Sequence, residues 1–317
     1  MRVFLAGGTG AVGRRLVPQL VERGHEVTAT TSHGERTELL RNFGAEPVVV
    51  DGLDAVGIGE AVARARPEAI VHQMTALSGT PDFKHFDRWF ALTNRLRTEG
   101  TEHLLAAAAA VGATRFIAQS YMNWANTGAS GPLNTEDDPL EPNPAKAQTE
   151  TLAAIRALEE SVVSAPLDGI ALRYGGLYGP GASESMVEMV RKHKVPVVGN
   201  GAGVWSWLHV DDAASAVVAA LEHGERGLYN IVDDDPAPVA DWLPYLASAV
   251  GAKPPMHVPT WLGRLAIGEV GVKLMTEARG SSNKKAKREL LWQPVWSSWR
   301  EGFRYALTDG QMASEAA

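Results

Sequence analysis

Apolar positions along the first half of the chain switch between two periods. The run Val3-Phe4-Leu5-Ala6 reads as a short buried strand. It ends in Gly7-Gly8-Thr9-Gly10-Ala11-Val12-Gly13, where a helical pattern begins with Val12, Leu16, Leu20 and Val21 on one face. Pro18 falls inside that helix and predicts a bend, because it removes a backbone donor. Strand signals recur at 25–30, 47–50, 69–73, 114–120 and 169–173. Helical stretches at 54–65, 86–111 and 148–163 lie between them, and 74–86 and 139–144 are rich in turn formers. Strands alternating with helices imply an α/β chain: a doubly wound parallel sheet with right-handed crossovers.

The first turn carries the strongest chemical signal. Gly7, Gly10 and Gly13 recur at spacing three between a strand and a helix. In that context the first glycine allows a tight turn, the second lets a pyrophosphate reach the backbone, and the third lets helix and strand pack closely. The helix end then offers Ala11 and Val12 amides and a positive dipole to phosphate. A dinucleotide is the expected ligand. After the second strand stand Thr31, Ser32 and Arg36 in place of an acidic ribose ligand. Hydroxyls and a cation suit a 2′-phosphate, so NADP is expected, with NAD the alternative and Glu35 the contrary feature. Asp51, after the third strand, is placed to meet the adenine edge. Arg14 or Arg15 is available to a phosphate, or both are solvated.

Composition narrows the class without changing it. The chain has 317 residues, 45% of them hydrophobic and 21% charged, with a net charge of −7. That suits a globular chain with a sizeable core. The short basic run at 284–288 reads as a solvated helix face, so nucleic acid is not an expected partner. There are no cysteines, which excludes disulfides and thiolate metal sites. No apolar run reaches membrane-spanning length, and a strand beginning at Arg2 leaves no room for a leader. The expectation is a cytoplasmic protein with a small-molecule substrate and no metal; a homodimer is an open expectation.

Further motifs carry a resemblance. They are the glycine turn, Asn94-Arg95-Leu96-Arg97-Thr98-Glu99-Gly100-Thr101, Thr135-Glu136-Asp137-Asp138-Pro139-Leu140, and Leu172-Arg173-Tyr174-Gly175-Gly176-Leu177-Tyr178-Gly179-Pro180. Trp207-Leu208-His209-Val210-Asp211-Asp212-Ala213, Leu228-Tyr229-Asn230-Ile231 and the stretch 282–294 follow in order. Together they make the chain resemble the extended short-chain dehydrogenase/reductase superfamily, in particular its epimerase/dehydratase-like members. The resemblance implies a Rossmann domain over 1–175 and a smaller, discontinuous substrate domain mainly over 176–317. Segments near 204–232 are expected to return to the Rossmann sheet. It adds Gln73, Met74 and Asn94 to the expected cofactor set. It also makes Asp211 or Asp212 the cap of a helix starting at Ala213 rather than a metal ligand.

One family feature is missing. Members carry a serine or threonine after the fifth strand and a Tyr-x-x-x-Lys on the next helix, the tyrosine moving the proton and the lysine tuning it. Ser120 fits the first position, but no tyrosine lies between Tyr121 and Tyr174. Either register of the helix puts Lys146, Ala147 or Leu152 at the tyrosine position and Glu150 or Arg156 at the lysine position. Ser120, Tyr121 and Lys146 are therefore the expected catalytic groups, with Tyr121 and Lys146 also readable as loop residues. Where nucleotide-sugar members carry phosphate-clamping arginines, this chain has Trp205 and Trp207. Asn123, Trp124, Tyr178, Met186 and Trp205 could line an apolar or aromatic pocket, or form core. Arg173 reads as structural. The expected activity is NAD(P)-dependent oxidoreduction of a small apolar or aromatic carbonyl or alcohol. The alternatives are an epimerase, dehydratase or isomerase that keeps its cofactor, and a non-catalytic NADP(H)-binding redox sensor.

Overall fold

A computed structural model describes residues 1–77, 79–122, 131 and 133–307. Seven strands form one parallel sheet: β1 (Arg2–Ala6), β2 (Glu26–Thr31), β3 (Glu46–Val49), β4 (Ala69–His72), β5 (Arg115–Tyr121), β6 (Asp168–Tyr174) and β7 (Gly227–Ile231). Their spatial order is β7-β6-β5-β4-β1-β2-β3. The chain runs outward from β1 to β3 and then crosses back to β4 on the other side of β1. This reversal opens a crevice at the carboxyl ends of β1 and β4, where such sheets bind ligands.

The period of two is visible in the core. Val3 and Leu5 face a cluster shared with the helices Gly13–Glu22 and Val210–His223. Phe4 and Ala6 face the opposite cluster, with the helices Ala55–Ala65, Thr101–Val111 and Thr149–Ser164. The first helix runs through Pro18 as a single element.

A third cluster builds a second lobe. It joins Phe86 and Phe90 to Trp205, Trp207, Trp242, Trp299 and Phe303. Its strands are pairs of two or three residues. Gly176–Tyr178 pairs with Trp207–His209, Val204–Trp205 with Ala237–Pro238, and Val197–Val198 with His257–Val258. The segment near 204 therefore does not return to the large sheet. The open edge of β6 is taken by β7, and Trp205 and Trp207 instead pack against Trp242, tilted and edge-on, with ring centroids 5.0 and 4.9 Å away.

Two local departures matter for the site. The expected helix over 86–111 is interrupted: Phe86–Arg95 and Thr101–Val111 are α-helical, and Leu96–Gly100 is a π turn. The helix expected to start at Ala213 starts at Val210. Its cap is His209, whose Nδ1 accepts from the Asp211 amide at 3.2 Å. Asp212 instead accepts from the amides of Val295 and Trp296, at 2.8 and 2.9 Å, and ties down the C-terminal segment. Trp292 adds a bond from Nε1 to Ser215 Oγ at 2.9 Å.

Candidate active site

A single cleft of about 1490 Å³ runs from the first turn into the second lobe. Gly7, Gly10, Ala11, Thr31, Ser32, Arg36, Asp51, Gln73 and Met74 all line it. Backbone geometry makes the nucleotide end. Gly7 has φ +96°, and a Cβ there would sit 2.9 Å from the Gln73 carbonyl. At Gly13 a Cβ would meet the Gly7 oxygen at 2.3 Å, so only glycine lets the helix lie on the turn. Gly10 differs: its Cβ position meets nothing nearer than 3.5 Å, which leaves the backbone open to an approaching group. No side chain caps the helix that follows. Val12 and Gly13 form the turn behind the wall rather than the wall itself.

These features fit a dinucleotide: an open glycine backbone, an uncapped helix start and a long cleft. Arg14, Arg15 and Arg36 line the same end. Arg14 donates to the Thr9 carbonyl at 3.0 Å, and Arg15 pairs instead with Asp211 at 3.5 Å. Glu35 is drawn to His33 at 3.4 Å and does not line the cleft, whereas His33 and Arg36 do. The Gln73 amide nitrogen is buried without a partner among the described residues and is available to a bound ligand.

The middle of the cleft is set by the π turn. His72, at the end of β4, accepts from the Met74 amide through Nδ1 at 3.2 Å and bonds the Leu96 carbonyl through Nε2 at 3.1 Å. That pattern requires the neutral tautomer with the proton on Nε2. Burial agrees, pulling the imidazole down to about 4. Asn94 Nδ2 donates to Thr151 Oγ1 at 3.0 Å, and Thr151 is held in turn by Asp87 at 2.7 Å. Asn94 is thus a strut between helices and lies outside the cleft wall.

Behind the wall, Arg173 grips Glu159 through Nε and Nη2 at 2.8 and 2.7 Å. Ser120 is fully buried and donates its hydroxyl to Glu159 Oε1 at 2.7 Å. The hydroxyl expected to meet substrate is therefore committed to a buried ion pair. Lys146 is exposed on a short 3₁₀ turn, Lys146–Gln148, away from the cleft. Leu152 is core, and Glu150 and Arg156 are exposed. Among the described residues, the helix Thr149–Ser164 presents no proton donor to the cleft.

Tyr121 does line it, half-buried at the carboxyl end of β5. Tyr178, Met186 and Trp205 also line it, with Phe86, Trp89, Phe90, Trp207 and Phe303. Tyr178 packs edge-on to His209 and Phe303, and its buried hydroxyl has no partner. Burial pushes its ionisation well above the usual tyrosine range. Trp205 donates Nε1 to the Leu274 carbonyl at 2.8 Å, which fixes its ring as wall. Asn123 and Trp124 lie outside the described residues. Arg97, which lines the cleft from the π turn, was not singled out from the sequence. Its signal was helical phase: a period of 3.6 puts Arg97 on the face of Phe86 and Phe90 and Arg95 on the opposite one.

No cluster of three or more potential metal ligands occurs among the described residues. No described helix is long and apolar enough to cross a membrane.

Comparison with known proteins agrees with this geometry. The model of the NAD dependent epimerase/dehydratase family matches residues 3–232. A 3-diazoavenalumate denitrifying reductase from a Streptomyces species is 43% identical over 309 residues, covering 95% of this chain and 99% of the relative. A 2-alkyl-3-oxoalkanoate reductase from Stenotrophomonas maltophilia is 26% identical and covers 80% of this chain and 76% of its own. Among solved structures, the UDP-glucose 4-epimerase of Thermotoga maritima superposes with a TM-score of 0.77 at 21% identity, over the whole of both chains. The chain belongs to the NAD dependent epimerase/dehydratase family, and it is an NAD(P)-dependent oxidoreductase.

Proposed function

We propose that this protein is an NADPH-dependent reductase of a small aromatic substrate. The observation that carries the reading is the continuity of the cleft: a glycine-backbone phosphate site at one end opens into a wall of aromatic rings at the other. We assign the nucleotide lobe to residues 1–175 with the helix Val210–His223 and β7 added, and the substrate lobe to most of the remainder from 176. When bound, the nicotinamide supplies the hydride. The chain's own part is to hold, orient and desolvate. Thr31 Oγ1 bonds Thr9 and the His33 amide, fixing the turn that carries Ser32 and Arg36 to the adenosine end. Arg36 is placed for a 2′-phosphate, which favours NADP over NAD. Trp205, Trp207 and Phe303 exclude water around a flat substrate. Tyr121 is the group we assign to deliver a proton to a substrate oxygen.

The vacancy at the family's tyrosine supports a second reading, reduction at nitrogen. The relative named for denitrifying a diazo compound spans nearly all of this chain. Hydride added to the terminal nitrogen of an arenediazonium gives a neutral aryldiazene. Loss of dinitrogen then leaves the arene with that hydrogen, and no enzymic proton is needed.

A single-turnover test separates these readings. The protein is loaded with NADPH and mixed in turn with aromatic ketones, aromatic enones and an arenediazonium salt, and the loss of NADPH absorbance is followed. Oxidation with a ketone or enone supports carbonyl reduction; oxidation with the diazonium alone supports the second reading. No oxidation with any of the three classes overturns both.

A further inference from the structure

The π turn puts a charged side chain where its surroundings do not account for it. Arg97 is 2% exposed, and its Nε and Nη1 have no hydrogen-bond partner among the described residues. Its guanidinium carbon lies 5.4 Å from the Phe90 ring centroid, and both residues line the cleft. Burial draws its pKa down only to about 10, so it stays cationic at neutral pH.

The nearby buried charges do not balance. Glu159 is the carboxylate whose field reaches Arg97, but it is already committed. Its Oε1 accepts from Ser120 and Arg173 Nε, and its Oε2 accepts from Arg173 Nη2. Among the described residues, two buried guanidiniums thus face this one carboxylate, and both of its oxygens are taken by Arg173. An unpaired buried cation is costly, and a fold keeps one where a counter-charge arrives from outside. The phosphates of a dinucleotide are not well placed to be that charge. They belong at the end of β1, which is served by Arg14 and Arg36. Arg97 sits beside Tyr121 at the end of β5, two strands away, roughly 10 Å at the usual strand spacing.

The position is also held firmly. His72 bonds the Leu96 carbonyl immediately before Arg97, and Thr98 donates to the Asn94 carbonyl at 3.0 Å immediately after it. Around the guanidinium the cleft wall is aromatic: Phe86, Trp89 and Phe90 on the preceding helix, and Tyr121 across from them. Trp89 Nε1 is a second buried donor without a partner.

We infer that Arg97 is the specificity-determining residue of the substrate end, and that it selects an aromatic monocarboxylate whose carboxylate it binds and whose ring lies among Phe86, Trp89, Phe90 and Tyr121. This rests on the reading of the cleft as a reductase site and names the class of substrate that site takes. A single buried guanidinium suits one compact negative charge, and the flat apolar wall suits a ring.

The test is equilibrium binding, so that it does not depend on turnover. The protein, with and without NADPH, is titrated calorimetrically with benzoate, cinnamate, 4-hydroxycinnamate and indole-3-acetate, and with the methyl ester of each. The expected result is that at least one acid binds about tenfold or more tightly than its ester, the scale of one charge-assisted bond. Arg97→Met removes that preference and leaves ester and NADPH affinity unchanged. Arg97→Lys keeps part of it. Without ligand, Arg97→Met does not lower the melting temperature, because it removes an unpaired buried charge. Three results overturn the inference: no acid preferred over its ester in the unaltered protein, a preference that survives Arg97→Met, or an Arg97→Met protein that loses ester and NADPH binding as well. Failure of NADPH oxidation with intact acid selectivity would instead count against the reductase reading alone.

Discussion

At the nucleotide end of the cleft, the turn that carries Gly7, Gly10 and Ala11 brings backbone to the wall, and the residues that complete it, Thr31, Ser32, Arg36, Asp51 and Gln73, sit at or after strand ends around that turn. At the substrate end, the wall comes from the helix Phe86–Arg95, the π turn, β5, the loop after β6, the Trp205–Trp207 segment and the helix Trp299–Ala306, and it consists mainly of side chains. The first end is set by sterics: a Cβ at Gly13 would lie 2.3 Å from a carbonyl oxygen, so the chain has no latitude there. The second is set by which rings and charges the scaffold happens to carry. The scaffold beneath both ends is the same sheet. On the proposed reading, a change at the first end weakens cofactor binding and a change at the second redirects the chemistry.

The sharpest way to break that contrast is at Tyr121. If the substrate end performs carbonyl reduction, Tyr121→Phe lowers single-turnover hydride transfer by ~100-fold or more, the lower range for losing a general acid. NADPH affinity stays unchanged in a titration, because the ring is kept and the nucleotide end is untouched. An unaltered rate with a ketone would remove Tyr121 from the mechanism. An unaltered rate with a diazonium is what reduction at nitrogen requires.

A smaller effect is expected at the opposite end. Arg36 is exposed at the cleft mouth, so its contribution is screened. Arg36→Ala should weaken NADPH binding by about tenfold, as one charge-assisted contact would. NADH affinity, measured in the same titration, should not move. Equal losses for both cofactors would show that Arg36 does not read the 2′-phosphate.

How much of this was legible in the chain follows from the same contrast. The alternation of strands and helices and the glycine turn are local in sequence, so the sheet and its nucleotide end were readable. Cross-chain bonds decide the rest. Ser120 stands at the expected position, yet Glu159, 39 residues away, takes its hydroxyl. Asp212 looks like a helix cap, yet it bonds amides at Val295 and Trp296. Val204–Trp205 has the pattern of a sheet strand, but β7 occupies the edge it would need. Arg97 was the hardest to see. A period of 3.6 run from Phe86 and Phe90 puts Arg97 on their buried face and Arg95 on the opposite one, but nothing local in the sequence tells that this face lines a cleft.

The smallest effect concerns the joint between the two ends. Asp233 follows β7 and accepts the Trp299 amide at 2.8 Å, holding the helix that brings Phe303 to the cleft. Burial first, and Asp235 beyond it, push its carboxyl up to about 8 from the ordinary 3.8. The folded chain therefore binds a proton that the unfolded chain has released, and stability falls as pH rises through the folded value. His72 and His209, both held near 4, and Asp212, near 6, have finished titrating below that range. Between pH 7 and 9 the melting temperature should drop by a few °C, about what 1 kcal/mol shifts in a chain of this size. Asp233→Asn, which keeps an acceptor for Trp299, should flatten that drop. If Asp233 acts only on the second lobe, the same pH step raises the dissociation constant of the aromatic ligand and leaves that of NADPH alone. Parallel weakening of both would mean that the two ends are coupled through the joint rather than independent.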